Sequence, residues 1–142
     1  MKKYTFIIRL SIATVTAFIA LSMTSCGIAA ETIEDSVKEA NKSCPMRVDE
    51  YTMCERIYTS GNDVIYDYRT SDEVIYALHE FGLDECKNYH YLQLATAKAM
   101  NGDVEKLIEL CIEAEYNIVY DYNNGHGNSY PVKISHKDMK KM

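Results

Sequence analysis

Hydrophobic and polar residues change their spacing several times along the chain, and each change marks a new structural element. In the first segment apolar residues recur at helical spacing, at Ile33, Val37, Ala40 and Cys44. Thr32, followed three residues later by Asp35, predicts the start of this helix. Pro45 predicts its end, because proline disfavours the helical conformation in the residue before it.

Two β-rich runs, residues 48–59 and 64–69, flank a turn composition at residues 60–63 and predict a hairpin. With Gly61 and Asn62 as the two-residue loop, Arg56 lies opposite Asp67. The predicted core face then carries Met53, Ile57, Val64, Tyr66 and Tyr68. The opposite face carries Cys54, Arg56, Tyr58, Ile65, Asp67 and Arg69. A slip of one residue would exchange the two faces.

The middle of the chain is helical in pattern. Residues 70–73 form a capping box, and an apolar stripe follows at Val74, Ala77, Leu78 and Phe81 before Gly82 ends the helix. Residues 88–100 predict a third helix. Asp103 is suited to cap a fourth helix, whose periodicity is the cleanest in the chain: Val104, Leu107, Ile108, Cys111 and Ile112.

Two further strands are predicted at residues 118–122 and 130–136, on either side of an Asn- and Gly-rich turn. The strings at 64–68 and 118–122 are nearly identical, which we interpret as convergence on good β-formers. The order α-β-β-α-α-α-β-β predicts an α+β, two-layer domain with a four-stranded antiparallel sheet of two hairpins packed against helices. This single domain spans residues 32–136, and residues 137–142 form a frayed, charged tail.

The N-terminal segment has the pattern of a secretory signal. Lys2, Lys3 and Arg9 precede and enter an apolar run at residues 6–23. Its uninterrupted part after Arg9 covers only residues 10–23, whereas a membrane-spanning helix needs about 20 apolar residues. Residues 1–25 are therefore predicted to be a signal peptide.

The end of this run, Leu21-Ser22-Met23-Thr24-Ser25-Cys26, resembles the lipobox of bacterial lipoproteins. That resemblance implies cleavage before Cys26, a lipid such as palmitate on its sulfur, and a short tether at residues 26–31. The protein would then be a membrane-anchored lipoprotein of the bacterial cell envelope. The alternative is ordinary cleavage at residues 27–30, which would leave a soluble periplasmic or secreted protein.

Composition and charge restrict the class of partner. The chain has 142 residues, 47% hydrophobic and 25% charged, as in an ordinary globular protein. Its formal net charge is −6, and all 21 acidic residues lie after the signal peptide. Removing the three basic residues of that peptide leaves 12 basic residues and a net charge of −9. Nucleic acid and anionic lipid headgroups are poor partners for such a surface.

Four cysteines follow Cys26, and an even number in an exported chain predicts two disulfides. Spacing favours Cys44 with Cys54 and Cys86 with Cys111 among the three possible pairings. The alternative for Cys111 is a small buried residue on an apolar helix face. No C-x-x-C occurs, so neither a thioredoxin-type site nor a zinc ribbon is indicated.

Residues 41–52 read N-x-x-x-P-x-x-V-D-E-x-T and are followed by Gly61 and the Tyr66-x-Tyr68 strand. This pattern resembles a family of small uncharacterised bacterial lipoproteins and secreted proteins. The resemblance implies an envelope location and a compact α+β shape. It implies no activity, cofactor or catalytic residue.

The sequence indicates no metal site, cofactor or catalytic set. The histidines at 79, 90, 126 and 136 are interpreted as scattered, solvated side chains, and His79-Glu80 lacks the second histidine of a zinc-protease helix. Residues 121–132 lack the glycine and glutamate of a calcium loop. Neither a G-x-S-x-G nor a glycine-rich phosphate loop is present.

The remaining candidate is an interaction patch at Arg56, Tyr58 and Arg69, because Arg and Tyr are enriched at binding hot spots. The alternative is a cross-strand ion pair on a solvated face. We therefore favour a non-enzymatic binding module, held at the lipid bilayer by its acyl anchor, with an envelope protein or the cell wall as partner. The alternative function is a small envelope hydrolase that pairs His136 or His79 with a carboxylate.

Overall fold

A computed structural model describes residues 32–142. The predicted signal peptide, the lipid site at Cys26 and the tether lie outside the described residues. The elements, in chain order, are α1 (Ile33–Asn41), β1 (Met46–Arg47), β2 (Met53–Ser60), β3 (Asp63–Arg69), α2 (Asp72–Phe81), α3 (Leu83–Met100), α4 (Gly102–Glu113), β4 (Asn117–Asn123), β5 (Ser129–Ile134) and α5 (His136–Met139).

The structure is α+β, but its sheet has five strands in the order β1-β2-β3-β4-β5. Strands β3 and β4 pair in parallel, and the other neighbours are antiparallel. The predicted four-stranded antiparallel sheet is therefore wrong in both number and direction of strands. Parallel neighbours need a long crossover connection. Helices α2, α3 and α4 form that crossover and return the chain to the end of the sheet where β3 begins.

The two similar strings found in the sequence lie side by side in this parallel pair. Tyr66 is opposite Tyr120, Asp67 is opposite Asp121, and Tyr68 is opposite Tyr122. Like residues therefore form rows across the centre of the sheet.

The predicted register of the first hairpin is confirmed next to its turn, where Arg56 pairs with Asp67 and Gly61 has a φ of 57°. A β-bulge between Cys54 and Arg56 then shifts the pairing by one residue. Cys54 is consequently fully buried in the core, and Met53 is only half-buried. The predicted placement of Met53 on the core face and Cys54 on the opposite face is wrong for this reason.

The core lies between one face of the sheet and the helices. Alternate residues of β3, β4 and β5 are buried on that face, as the period of two of a half-covered strand requires. The helical layer supplies the other half of the core, including Ile33, Val37, Val74, Leu78, Leu94, Val104 and Ile108.

Side-chain caps fix the starts of α1, α2 and α4, whereas α3 follows Gly82 without one. Thr32 Oγ1 accepts from the backbone N–H of Asp35 at 3.1 Å, which confirms the predicted start of α1. Helix α2 is capped one residue later than predicted, because Ser71 Oγ accepts from the N–H of Val74 at 3.3 Å, whereas Thr70 Oγ1 donates to the carbonyl of Tyr51. The fourth helix is capped by Asn101, because its Oδ1 accepts from the N–H of Asp103 at 2.9 Å.

The chain ends in a short helix where the sequence predicts a frayed tail. A capping box between Ser135 and Asp138 starts α5, and Met139 is completely buried against the core. No helix between residues 32 and 142 has both the length and the apolar composition needed to cross a bilayer.

Candidate functional site

The face of the sheet opposite the helices, here called the outer sheet face, carries the predicted patch. Within residues 32–142 the helices pack their buried residues into a single cluster on the other side. The outer sheet face consists of Arg56, Tyr58, Ile65, Asp67, Arg69, Val119, Asp121, Asn123, Pro131 and Lys133, read from strand register and alternation.

An apolar row crosses this face. Tyr58 pairs with Ile65, and Ile65 with Val119, and this apolar row ends at the charged Lys133, which pairs with Val119. Val119 is only 6% exposed, although it does not belong to the main core cluster. Little of the Val119 side chain is therefore accessible on this face.

Arg56 makes two contacts next to this row. Its guanidinium carbon lies 4.0 Å from the centre of the Tyr58 ring, and its Nε lies 3.5 Å from Asp67 Oδ2. The Arg56 side chain is 59% exposed, so the ion pair contributes at most about 1 kcal/mol, and the ring contact a similar amount. The patch thus includes the cross-strand ion pair that was its alternative explanation.

Arg69 is held by an amide instead of a carboxylate. Its Nε donates to Asn123 Oδ1 at 3.1 Å, and Asn123 Nδ2 donates to Asp67 Oδ1 at 2.6 Å. Gly125 packs directly on the guanidinium, since a Cβ at that position would lie 2.6 Å from Arg69 Nη1. Arg69 lies two residues beyond Asp67 on the same strand, so all three predicted patch residues share the outer sheet face.

Asp67 and Asp121 lie next to each other in the register of the parallel strands. Burial raises the pKa of the Asp121 carboxyl, and the negative charge of Asp67 raises it further. Because Asp67 also faces Arg56, the two aspartates have different surroundings despite their equivalent positions.

The loop from Asn123 to Asn128 contributes residues that the sequence analysis missed. Asn124 Nδ2 and Asn128 Nδ2 both donate to Asp72 Oδ1, at 2.8 and 3.0 Å. These bonds fasten the loop to the first turn of α2. The Asn- and Gly-rich composition predicts a turn at this point, but it contains no signal for the distant partner Asp72.

The histidines occupy different surroundings. His90 is buried, stacks on Tyr120 with ring centres 4.0 Å apart, and lies 3.2 Å from the Tyr122 hydroxyl. Burial lowers its pKa to about 3. The interpretation of all histidines as solvated is therefore wrong for His90.

The two histidines named for the alternative hydrolase lie beside neutral groups. His136 Nδ1 is 3.2 Å from Asn117 Oδ1, and His79 packs edge-on against Tyr130 with ring centres 4.5 Å apart. In the described part of the chain, neither forms an ion pair with a carboxylate, and no group of three or more metal-ligating side chains occurs.

An open groove of about 430 Å³ lies between the start of α1 and the end of α4. Its polar residues include Glu34 and Tyr116, and the Tyr116 hydroxyl donates to Glu34 Oε1 at 2.9 Å. No histidine lines this groove, so it does not supply the pair that the hydrolase requires.

The cysteines differ in their neighbours. Cys44 Sγ lies 3.7 Å from Cys54 Sγ, both as free thiols. Cys86 Sγ instead donates to the carbonyl of Leu78 at 3.9 Å, and Cys111 lies in the core. Burial raises the pKa of Cys86 and of Cys111 to about 12.

Neither a family model nor a curated protein matches this sequence. Among solved structures, the crystal structure of a "putative secreted protein" from Pseudomonas aeruginosa is similar, with a TM-score of 0.57 at 14% sequence identity. The match covers 75% of this chain and 88% of that chain. Similarity at this level shows a shared fold.

Proposed function

We propose that this protein is an exported bacterial envelope protein, tethered through a lipid on Cys26, that binds a protein partner with its outer sheet face. It acts as a binding module and not as a catalyst. The observation that carries this proposal is the outer sheet face itself. Among the described residues no helix packs on it, and it combines an apolar row with Arg56, Tyr58 and Arg69.

Three observations support export. The N-terminal segment has the charge and apolar pattern of a signal peptide and ends at a cysteine after small residues. The pattern at residues 41–52 resembles that of small uncharacterised bacterial lipoproteins and secreted proteins. The Pseudomonas aeruginosa protein with a similar fold is itself described as secreted.

The chemistry of the face suggests the kind of partner. Tyr58 and Ile65, both half-buried, offer apolar contact area, and among the described residues the Arg69 guanidinium bonds to the Asn123 amide. A protein segment with one carboxylate beside aliphatic or aromatic side chains could pair the carboxylate with Arg69 and pack its apolar side chains on the row. The acidity of the exported chain disfavours a strongly acidic partner, so we expect a single carboxylate rather than a polyanion.

The anchor is tested by metabolic labelling with a fatty acid in the bacterium that encodes the protein. The native chain should carry the label and sediment with membranes, and Cys26→Ala should lose the label and move to the soluble fraction. If the native chain is unlabelled and soluble, the proposed anchor is wrong and ordinary secretion is the better description.

The binding face is tested with a photoreactive amino acid at Tyr58 of the tethered protein. Irradiation should join it to a protein whose linked peptide contains an acidic and an apolar residue, and Arg69→Glu should reduce the yield at least several-fold. A photoreactive residue at Tyr76, 59% exposed on α2, is the positional control. Lys38→Glu, on α1, is the control for the charge change.

Three outcomes contradict the proposed face. The first is equal cross-linking from Tyr58 and Tyr76. The second is a yield from Tyr58 that Arg69→Glu leaves unchanged. The third is a product that contains only cell-wall glycan, which would make the partner a carbohydrate.

A further inference from the structure

We propose that Cys44 and Cys54 are a site of reversible disulfide formation that fastens the connection between α1 and β1 to strand β2. Their sulfurs lie 3.7 Å apart, and the residues belong to neighbouring segments, since Met46 pairs with Cys54 in the β1–β2 ladder. This inference goes beyond binding at the outer sheet face and does not depend on it.

The geometry leaves only a short distance to close. The sulfurs of a disulfide are about 2.05 Å apart, so the two side chains must approach by about 1.7 Å. Cys44 lies in the turn after α1, outside regular structure, where side-chain and backbone adjustment is easiest. Cys54 is held at the β-bulge of β2 and points into the core.

The accessibility of the two thiols sets the order of the reaction. Cys44 is half-buried and can be reached by an oxidant, whereas Cys54 is completely buried. Burial raises the pKa of both thiols, which keeps them protonated and slows their reaction. We therefore expect Cys44 to react first and Cys54 to complete the bond.

The oxidant is a disulfide, either small or carried by a protein. Cys44 loses its proton and attacks one sulfur of the oxidant, which forms a mixed disulfide and releases one thiol. Cys54 then loses its proton and attacks the Cys44 sulfur, which forms the Cys44–Cys54 bond and releases the second thiol. Two protein thiols are oxidised, and one disulfide is reduced to two thiols.

The second predicted pair serves as an internal control. Cys86 Sγ contacts the carbonyl of Leu78, and among the described residues no sulfur–sulfur contact joins Cys86 to Cys111. We therefore expect these two thiols to stay reduced under conditions that oxidise Cys44 and Cys54.

The bond would close a ring that contains β1 and the turn before β2. In this turn the N–H of Val48 donates to the carbonyl of Thr52 at 2.9 Å, and Thr70 Oγ1 donates to the carbonyl of Tyr51 at 2.9 Å. Closing a ring of about ten residues reduces the entropy of the unfolded chain. We expect Tm to rise by roughly 5–15 °C on oxidation.

The test uses the full chain with Cys26→Ala, so that four thiols remain, treated with oxidised glutathione. Alkylation in denaturant should then label two thiols instead of four. Trypsin cuts after Lys42, Arg47 and Arg56, so Cys44 and Cys54 fall in separate peptides that only their disulfide joins. Mass spectrometry should find these two peptides linked, and a reductant should separate them.

Cysteine variants distinguish the Cys44–Cys54 bond from oxidation of the other two thiols. Cys86→Ala combined with Cys111→Ala should keep both the linked peptides and the rise in Tm, whereas Cys44→Ser should lose both. Four alkylated thiols after oxidation would overturn the inference. A glutathione adduct on Cys44 without linked peptides, or a link from Cys44 or Cys54 to Cys86 or Cys111, would also overturn it.

Discussion

The central strands β3 and β4 have nearly the same sequence, but the two faces that they form have opposite roles. In each strand a Tyr-Asp-Tyr string alternates between the faces, and the parallel register places like residues side by side. The tyrosines point to the helices and the aspartates to the outer sheet face. One short string, used twice, therefore builds both the most buried and the most polar parts of the sheet.

The inner face is a cluster of packed aromatic rings, some stacked and some edge-on. Tyr66 and Tyr120 have ring centres 5.5 Å apart, and Tyr68 lies 5.9 Å from Tyr120 and 5.4 Å from Tyr122. Each ring removes a large apolar area from water. Burial raises the pKa of these tyrosines well above the usual value, so their hydroxyls stay neutral.

The outer sheet face is held by contacts that are individually weak. The ion pair of Arg56 and Asp67 and the amide bonds of Asn123 are all at least partly exposed. Such contacts can be exchanged for contacts with a partner at little cost in stability. The comparison therefore predicts that inner-face substitutions change mainly folding and outer-face substitutions mainly binding.

The largest effect should come from Tyr120→Ala on the inner face. The change removes a fully buried ring that stacks on both Tyr66 and His90, so the free energy of unfolding should fall by about 3–5 kcal/mol. The matched control is Tyr58→Ala on the outer sheet face, which should cost about 1 kcal/mol or less. Urea unfolding measures both. Equal losses would contradict the assignment of stability to the inner face.

The next effect concerns acid sensitivity. His90 has a pKa of about 3 in the folded protein, whereas an unfolded histidine has a pKa of about 6.5. Between these values the unfolded chain binds the extra proton, so stability falls as the pH is lowered from 6.5 towards 3. Between pH 6.5 and pH 4 the contribution lost is about 3 kcal/mol.

The control for this prediction is His90→Phe, which keeps a ring against Tyr120 but cannot be protonated. It loses the contact with the Tyr122 hydroxyl, which lowers stability by about 1 kcal/mol at every pH. The variant should therefore be less stable than the native protein at pH 7 and more stable at pH 4. Urea unfolding between these two pH values measures the difference. Parallel pH profiles would show that His90 is already protonated or solvated.

The sequence predicts local features of this comparison well and long-range features poorly. The register of Arg56 with Asp67 follows from the two residues of the turn, and the cap at Thr32 follows from neighbouring residues. The bulge beside Cys54 escaped prediction because strict alternation cannot reveal one extra residue. That residue exchanged the faces of Met53 and Cys54.

The parallel pairing of β3 with β4 could not be read from the strands, because both strings suit either direction of pairing. Their direction depends on where the helical crossover returns the chain, which is a property of packing. The bonds of Asp72 to Asn124 and Asn128 could not be predicted for the same reason, because packing brings together residues more than fifty positions apart. The placement of Arg56, Tyr58 and Arg69 on one face was predictable because all three lie within one hairpin.

A moderate effect is expected at the loop that holds Arg69. Gly125 has a φ of 76° and Gly127 a φ of 96°, so alanine at either position strains the backbone, at a cost of about 1 kcal/mol. Only at Gly125 does the added Cβ also meet the Arg69 guanidinium. Gly125→Ala should therefore displace Arg69 and reduce photo-cross-linking from position 58. If Gly127→Ala reduces cross-linking equally, the effect comes from the loop backbone and not from Arg69.

The smallest effect should come from Asp67 and Asp121, which occupy equivalent positions in the two strings but have different neighbours. In the folded protein burial and the adjacent Asp67 raise the pKa of Asp121, so ionisation of Asp121 opposes folding as the pH rises through that raised pKa. Asp121→Asn should increase the free energy of unfolding at pH 7 by a few tenths of a kcal/mol, reduced by partial exposure. Asp67→Asn should decrease it, because Asp67 pairs with Arg56 and accepts from Asn123. Urea unfolding at pH 7 compares the two variants, and shifts of the same sign would mean that the equivalent positions are also energetically equivalent.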